Sequence, residues 1–201
     1  MRRDDAFVWM GGAFCAALGL AASVLALRGA DVHGTDTALA ATARLSFLLF
    51  WLAYAGGAMP ALFGAALQPL RRHGRDFGLA FASAHIVHLS LVGWLCYIGA
   101  TPGARLFEVF GIATGWIYLL ALFSFRPMQV MLDAKTWWVM RTVGMNYILY
   151  VFATDFLRNP FSGGVRRMAE YVPFAVLVVA GPALRVAAFV VRAGYFGRAE
   201  A

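Results

Sequence analysis

The sequence predicts an all-α, polytopic integral membrane bundle of six transmembrane helices, a single domain over residues 1–201. Composition is the first reason: 62% of the 201 residues are hydrophobic and 13% charged, about half the charged share of a soluble domain. A soluble globule of this size would leave roughly a third of its unfolded-chain surface in water, too much for so apolar a chain. Abundant aromatic and aliphatic residues likewise exclude disorder. The second reason is spacing. Six mostly apolar stretches of about 20 residues follow one another, each long enough to cross a hydrocarbon core about 30 Å thick.

The first stretch is 7–27. Arg2 and Arg3 ahead of it look like the start of a secretory signal. The apolar run exceeds the roughly 7–15 residues of a signal, and Asp4 and Asp5 dilute the basic start, so a retained anchor helix is expected. A polar segment over 28–36 separates it from the second stretch, 39–66. The third is 77–99, the fourth 107–125, the fifth 136–156 and the sixth 171–191. Gly111 and Gly115 make a G-x-x-x-G ridge in the fourth, expected to pack inside the bundle. Gly181-Pro182 is expected to kink the sixth, with neighbouring groups covering the carbonyls freed there.

Seventeen basic and ten acidic residues give a net charge of +7, and the basic residues fall mostly between the apolar stretches. Membrane lipid headgroups and the translocation machinery are the expected readers of that charge, not nucleic acid. Counted by alternate loops, about nine basic residues lie on one side and about five on the other, which puts both termini in the cytoplasm. Cys15 and Cys96 fall about 12 and 28 Å from the cytoplasmic edge by helical rise, too far apart for a disulfide. No P-loop, dinucleotide fingerprint, zinc-protease motif or nucleophile elbow occurs.

His85 and His88 lie in the third stretch about 12 and 17 Å deep, on nearly one helix face. Ionisable groups at such depth face a protein interior, a cavity or a cofactor. Neutral imidazole ligates heme iron or a transition metal; the alternative is that each ring only hydrogen-bonds a neighbouring helix. One helix cannot supply both axial ligands of one heme, so a partner helix is needed. Met145, Asn146 and Tyr147 in the fifth stretch reach about the same depth. Arg141 sits shallower, about 8 Å in, placed to snorkel or to hold a propionate or other anion, and Arg185 has the same two options. Trp137 and Trp138 suit an interfacial belt. Glu108 and Asp155, near stretch ends, carry no expected role, and His33 with Asp31 and Asp36 reads as a solvated turn.

The run from Ala41 through Arg44 and Phe47 to Met59-Pro60, then Leu70-Arg71-Arg72-His73-Gly74-Arg75-Asp76-Phe77-Gly78-Leu79, then His88, resembles the ferric reductase-like transmembrane domain superfamily. That superfamily includes the heme-binding membrane subunit of the bacterial methionine sulfoxide reductase system. The resemblance covers about residues 40–156; its most specific part is the basic loop, Gly78-Leu79 and the histidine ten residues after that glycine. It implies a bundle in a bacterial inner membrane that holds heme b and transfers electrons, with His88 as an axial ligand. In the family the fifth span supplies the second histidine; here Trp137-Trp138-Val139-Met140-Arg141 stands in that place, and no histidine follows His88. Four outcomes stay open: Met145 as second ligand, a five-coordinate heme, a ligand from another subunit, or no heme. No flavin or nicotinamide site is encoded, so an oxidoreductase role needs a separate cytoplasmic reductase or a quinone as donor. The alternatives are a heme-free structural or assembly subunit on the same scaffold, and a small-ligand or ion pathway lined by His85, His88, Asn146 and Tyr147.

Overall fold

Asp31 sets the tightness of the first helical connection. α1 (Arg3–Arg28) ends where Gly29, at φ 90°, donates to the Leu25 carbonyl at 2.8 Å. Only three residues later the Asp31 carboxylate accepts from Gly34 N at 2.8 Å and starts α2 (Val32–Ala55). The computed structural model describes residues 3–125, 128, 130–158, 160, 161 and 164–199.

The polar segment expected over 28–36 is therefore a three-residue turn, and His33 and Asp36 are helical. The second stretch, expected to run over 39–66, is also shifted. α2 stops at Ala55, before Gly56-Gly57, and the apolar residues beyond fold as α3 (Met59–Phe63), a short 3₁₀ turn (Ala65–Leu67) and α4 (Gln68–Arg72). Gly64, at φ 95°, breaks the chain between them in a conformation other residues rarely adopt.

α5 (Gly74–Tyr97), α6 (Ala104–Ser124) and α7 (Ala134–Phe156) match the third, fourth and fifth stretches within a few residues. α8 (Gly164–Ala199) is longer than the expected 171–191. It runs unbroken through Pro173 and Pro182. Pro182 lacks the N–H that would bond Val178, and the Trp51 indole of α2 donates to the neighbouring Leu177 carbonyl at 2.8 Å. Gly181 makes room for this: a Cβ there would lie 3.2 Å from Trp51 Nε1.

All described regular structure is helical. Five helices, α1, α2, α5, α6 and α8, are long and apolar enough to cross a membrane. α7 is as long, with 23 residues, but is not among them, because Arg141, Asn146 and its tryptophans and tyrosines lower its mean hydropathy.

Two packed clusters organise the bundle, and α2 and α5 belong to both. In one, Ala17 and Ala21 of α1, Ala38 of α2, and Ala84, Val87 and Leu91 of α5 let three backbones approach closely. Ser83 adds a bond to the Met10 carbonyl of α1 at 2.9 Å. The other is aromatic: Phe47 meets Phe152 and Phe156 edge-on at 5.1 and 5.0 Å, and Phe50, Phe81, Ile117 and Ile148 complete it. Arg44 of α2 reaches Glu170 of α8 at 3.4 Å.

The G-x-x-x-G ridge does not pack inside the bundle. Gly111 and Gly115 lie exposed on α6 with open space around them. α6 buries Ala113, Ile117 and Leu120 instead. The close approach belongs to Gly144 of α7, where a Cβ would lie 2.7 Å from Trp116 and 2.9 Å from Leu120.

Candidate functional site

His85 and His88 stand one turn apart on α5, so their rings stack at 5.3 Å between centroids, with 16° between planes. Both line a cavity of about 650 Å³. Its walls are Leu39, Ala43 and Ser46 of α2, Phe110 and Thr114 of α6, and Ile148, Val151 and Phe152 of α7. Asp36 and Asp155 also line it, from the first turns of α2 and the last turn of α7.

Thr42 orients His88. Its hydroxyl has one hydrogen, with the Ala38 and Leu39 carbonyls at 2.9 and 3.1 Å as acceptors. Assigning that hydrogen to the Ala38 carbonyl makes the Thr42 oxygen the acceptor toward His88 Nδ1, 3.0 Å away, and places the proton on Nδ1. In that tautomer Nε2 keeps its lone pair, the state in which imidazole ligates a metal. Nearby, His85 Nε2, Ser46 Oγ and Tyr118 OH are buried and have no hydrogen-bond partner among the described residues. Buried polar atoms without partners are costly, and His85 and Ser46, which line the cavity, call for a ligand or ordered water.

A second cavity, about 290 Å³, lies toward the other ends of the same helices. Arg71 and Arg72 of α4, Arg75 of α5 and Arg141 of α7 line it, with Trp137 and Met145. Ile117 and Ile148 line both cavities and form the partition between them. α7 packs its backbone mainly on α6 and α8, so these two spaces, divided by the partition, occupy much of the gap between α5 and α7. The linings also give the directions: N-terminal halves of α5 and α7 meet the C-terminal half of α6 at one cavity, and the reverse holds at the other. α5 and α7 run parallel, with α6 opposed.

The four expected site residues thus divide into pairs. His85 and His88 share one cavity; Met145 and Arg141 share the other. The polar lining expected from Asn146 and Tyr147 does not form, because both side chains tie helices together. Asn146 accepts from Tyr54 OH at 2.8 Å and donates to the Thr142 carbonyl, and Tyr147 OH bonds the Val109 carbonyl at 3.3 Å. Arg185 lies 4.4 Å over the Tyr54 ring. Sequence reasoning missed Thr42, Ser46, Asp36 and Asp155. A threonine inside an apolar stretch was the available signal, but the expected bounds of 39–66 put Thr42 three residues from the outer edge, away from the depth of His88.

The histidine cavity meets some demands of a b-type heme and not others. It offers an imidazole nitrogen that keeps its lone pair, mostly apolar walls and a volume within the range of about 300–1,000 Å³ usual for ligand pockets. From α7 it receives only Ile148, Val151, Phe152 and Asp155, so a bis-histidine iron within this chain does not fit. No lysine or arginine lines it to meet propionates. The donor set suits a heme held through one imidazole.

The chain matches no family model, no curated protein and no solved structure. The two cavities are therefore the ground for a functional reading.

Proposed function

We propose that this chain is a six-span integral membrane protein, both termini cytoplasmic, acting as an electron-transfer subunit that holds heme b through His88. The observation that carries this is the Thr42–His88 bond, which leaves a nitrogen with its lone pair in an apolar cavity of cofactor size. The parallel course of α5 and α7, with α6 opposed, supports counting α7 as a span despite its lower hydropathy. Heme would supply reversible one-electron storage; the protein's part is to present one imidazole, fix its tautomer and exclude water with Leu39, Phe110 and Phe152. Electrons would come from a separate cytoplasmic reductase or a quinone. Arg141 and Met145 have no part in this site, since they line the other cavity.

Reduced-minus-oxidised absorbance of protein purified from heme-replete cells tests the reading. A b-type band is expected, lost in His88→Ala and kept in Met145→Leu. Colourless wild-type protein would overturn it. One observation favours a second reading, a heme-free structural or assembly subunit: the α7 wall offers no second iron ligand and the cavity no cation. Colourless protein whose removal disperses a membrane complex would establish that reading instead.

A further inference from the structure

Four arginines line the smaller cavity, and among the described residues no acidic one does. Arg71 and Arg72 come from the last turn of α4 and Arg75 from the first turn of α5. Arg141 reaches in from α7, seven residues past Ala134. Nearby acids are engaged elsewhere. Asp76 is buried and pairs with His73 through Oδ2 at 3.0 Å, its Oδ1 meeting no donor among the described residues, while Asp133 accepts from Lys135 N and Thr136 N to cap α7. Arg75 uses Nε on the Ser124 carbonyl at 2.8 Å, which leaves its two terminal nitrogens for another acceptor.

A membrane topology needs only a count of basic residues on one side. It does not need them gathered around one space, nor one placed within a helix. Like charges so gathered repel unless an anion joins them. Planar guanidinium forks match phosphate oxygens two at a time. The inner wall is apolar, from Phe50, Phe81, Ile117 and Ile148. A small anionic group with an apolar neighbour fits such a space.

We propose that the Arg71–Arg72–Arg75–Arg141 cavity is a phosphate site, taking either a soluble phosphate monoester or the phosphodiester of an anionic lipid. It stands apart from the heme reading, because neither histidine touches it and the test needs no pigment.

The full chain in detergent micelles is melted with tryptophan fluorescence as the readout. One arm titrates glycerol 3-phosphate; the other dopes the micelles with phosphatidylglycerol or, for comparison, phosphatidylcholine. Sodium chloride at matched ionic strength is the control. Saturable stabilisation by one arm beyond its control is expected, weakened at least tenfold in Arg72→Gln and in Arg141→Gln and unchanged in Arg105→Gln. Response to phosphatidylglycerol alone identifies a lipid site, and response to the monoester alone a soluble ligand. Should neither exceed its control, the proposal fails. Should the variants not fold, the wild-type titrations decide it by themselves.

Discussion

His88 and Thr42 stand 46 positions apart in the chain and 3.0 Å apart in space. Thr42→Val removes the hydroxyl from His88 Nδ1 while the Leu39 carbonyl stays beside the imidazole, so the loss should be about 1 kcal/mol, the net worth of one hydrogen bond. Melting of the detergent-solubilised variant should drop accordingly, and Thr42→Ser should recover most of the loss. If heme is held as proposed, its affinity should fall about 10–100-fold in Thr42→Val. Unchanged melting would show that the bond does not orient the ring.

Glycines divide into those that seat a neighbour and those that face open space. Gly34→Ala would push a Cβ to 1.9 Å from the Gly29 carbonyl oxygen, a backbone atom, so the turn between α1 and α2 must move. Gly144→Ala meets the Trp116 ring at 2.7 Å and should cost about 1–3 kcal/mol of overpacking. Gly111→Ala and Gly115→Ala should leave the melting temperature unchanged or slightly raised. A large loss at Gly111 or Gly115 would mean that α6 buries a different face.

Trp51→Phe keeps the aromatic bulk beside Gly181 but removes the donor to Leu177. The Gly181 amide remains for the Leu177 carbonyl within the helix, so losing the indole bond should lower stability by about 1 kcal/mol. Trp51→Phe melting like wild type would mean that water or another group takes the place of the indole at that carbonyl.

Asp133 caps α7 from outside the apolar segment. The Thr136 hydroxyl, then the Thr136 and Lys135 amides, hold its carboxyl below the usual carboxylate range. A depressed carboxyl lends stability above its ordinary pKa and loses it as pH falls through the lower, folded-state value. Hydrogen exchange at the Lys135 and Thr136 amides, corrected for intrinsic rates, should show protection at pH 7 that declines in acid below about pH 4. Asp133→Asn should flatten that profile. Equal protection at both pH values in the wild type would show that the carboxylate is not the cap.

Helix class, five of the helices and the shared face of His85 and His88 were legible in the sequence, because all follow from apolar run length and from 3.6-residue periodicity. Boundaries set by single residues were less so. Asp31 carries helix through the polar residues His33 and Asp36, while Gly56-Gly57 ends it amid apolar ones, so hydropathy misplaced α2 at both ends. The grouping of side chains from distant segments was not legible. Arg71, Arg72 and Arg75 read as a topology signal until Arg141 was seen beside them, and Asp155 read as a hydrated end until it lined the histidine cavity. Met145 reached the right depth but lines the other cavity, which linear depth cannot distinguish.

α7 has a consequence for biogenesis. Under the six-span reading, a segment that is only marginally lipophilic has to leave the translocon sideways, and its preceding neighbour is the one available to draw it out. Gly144 against Trp116 is the seam along which the two would leave as a hairpin. A glycosylation reporter should find Ala134–Phe156 alone secreted past the bilayer but retained when Ala104–Ser124 precedes it; retention of the lone segment would refute this. A lesion at Gly144 would then show up as chains degraded during synthesis, before any cofactor had a place to bind.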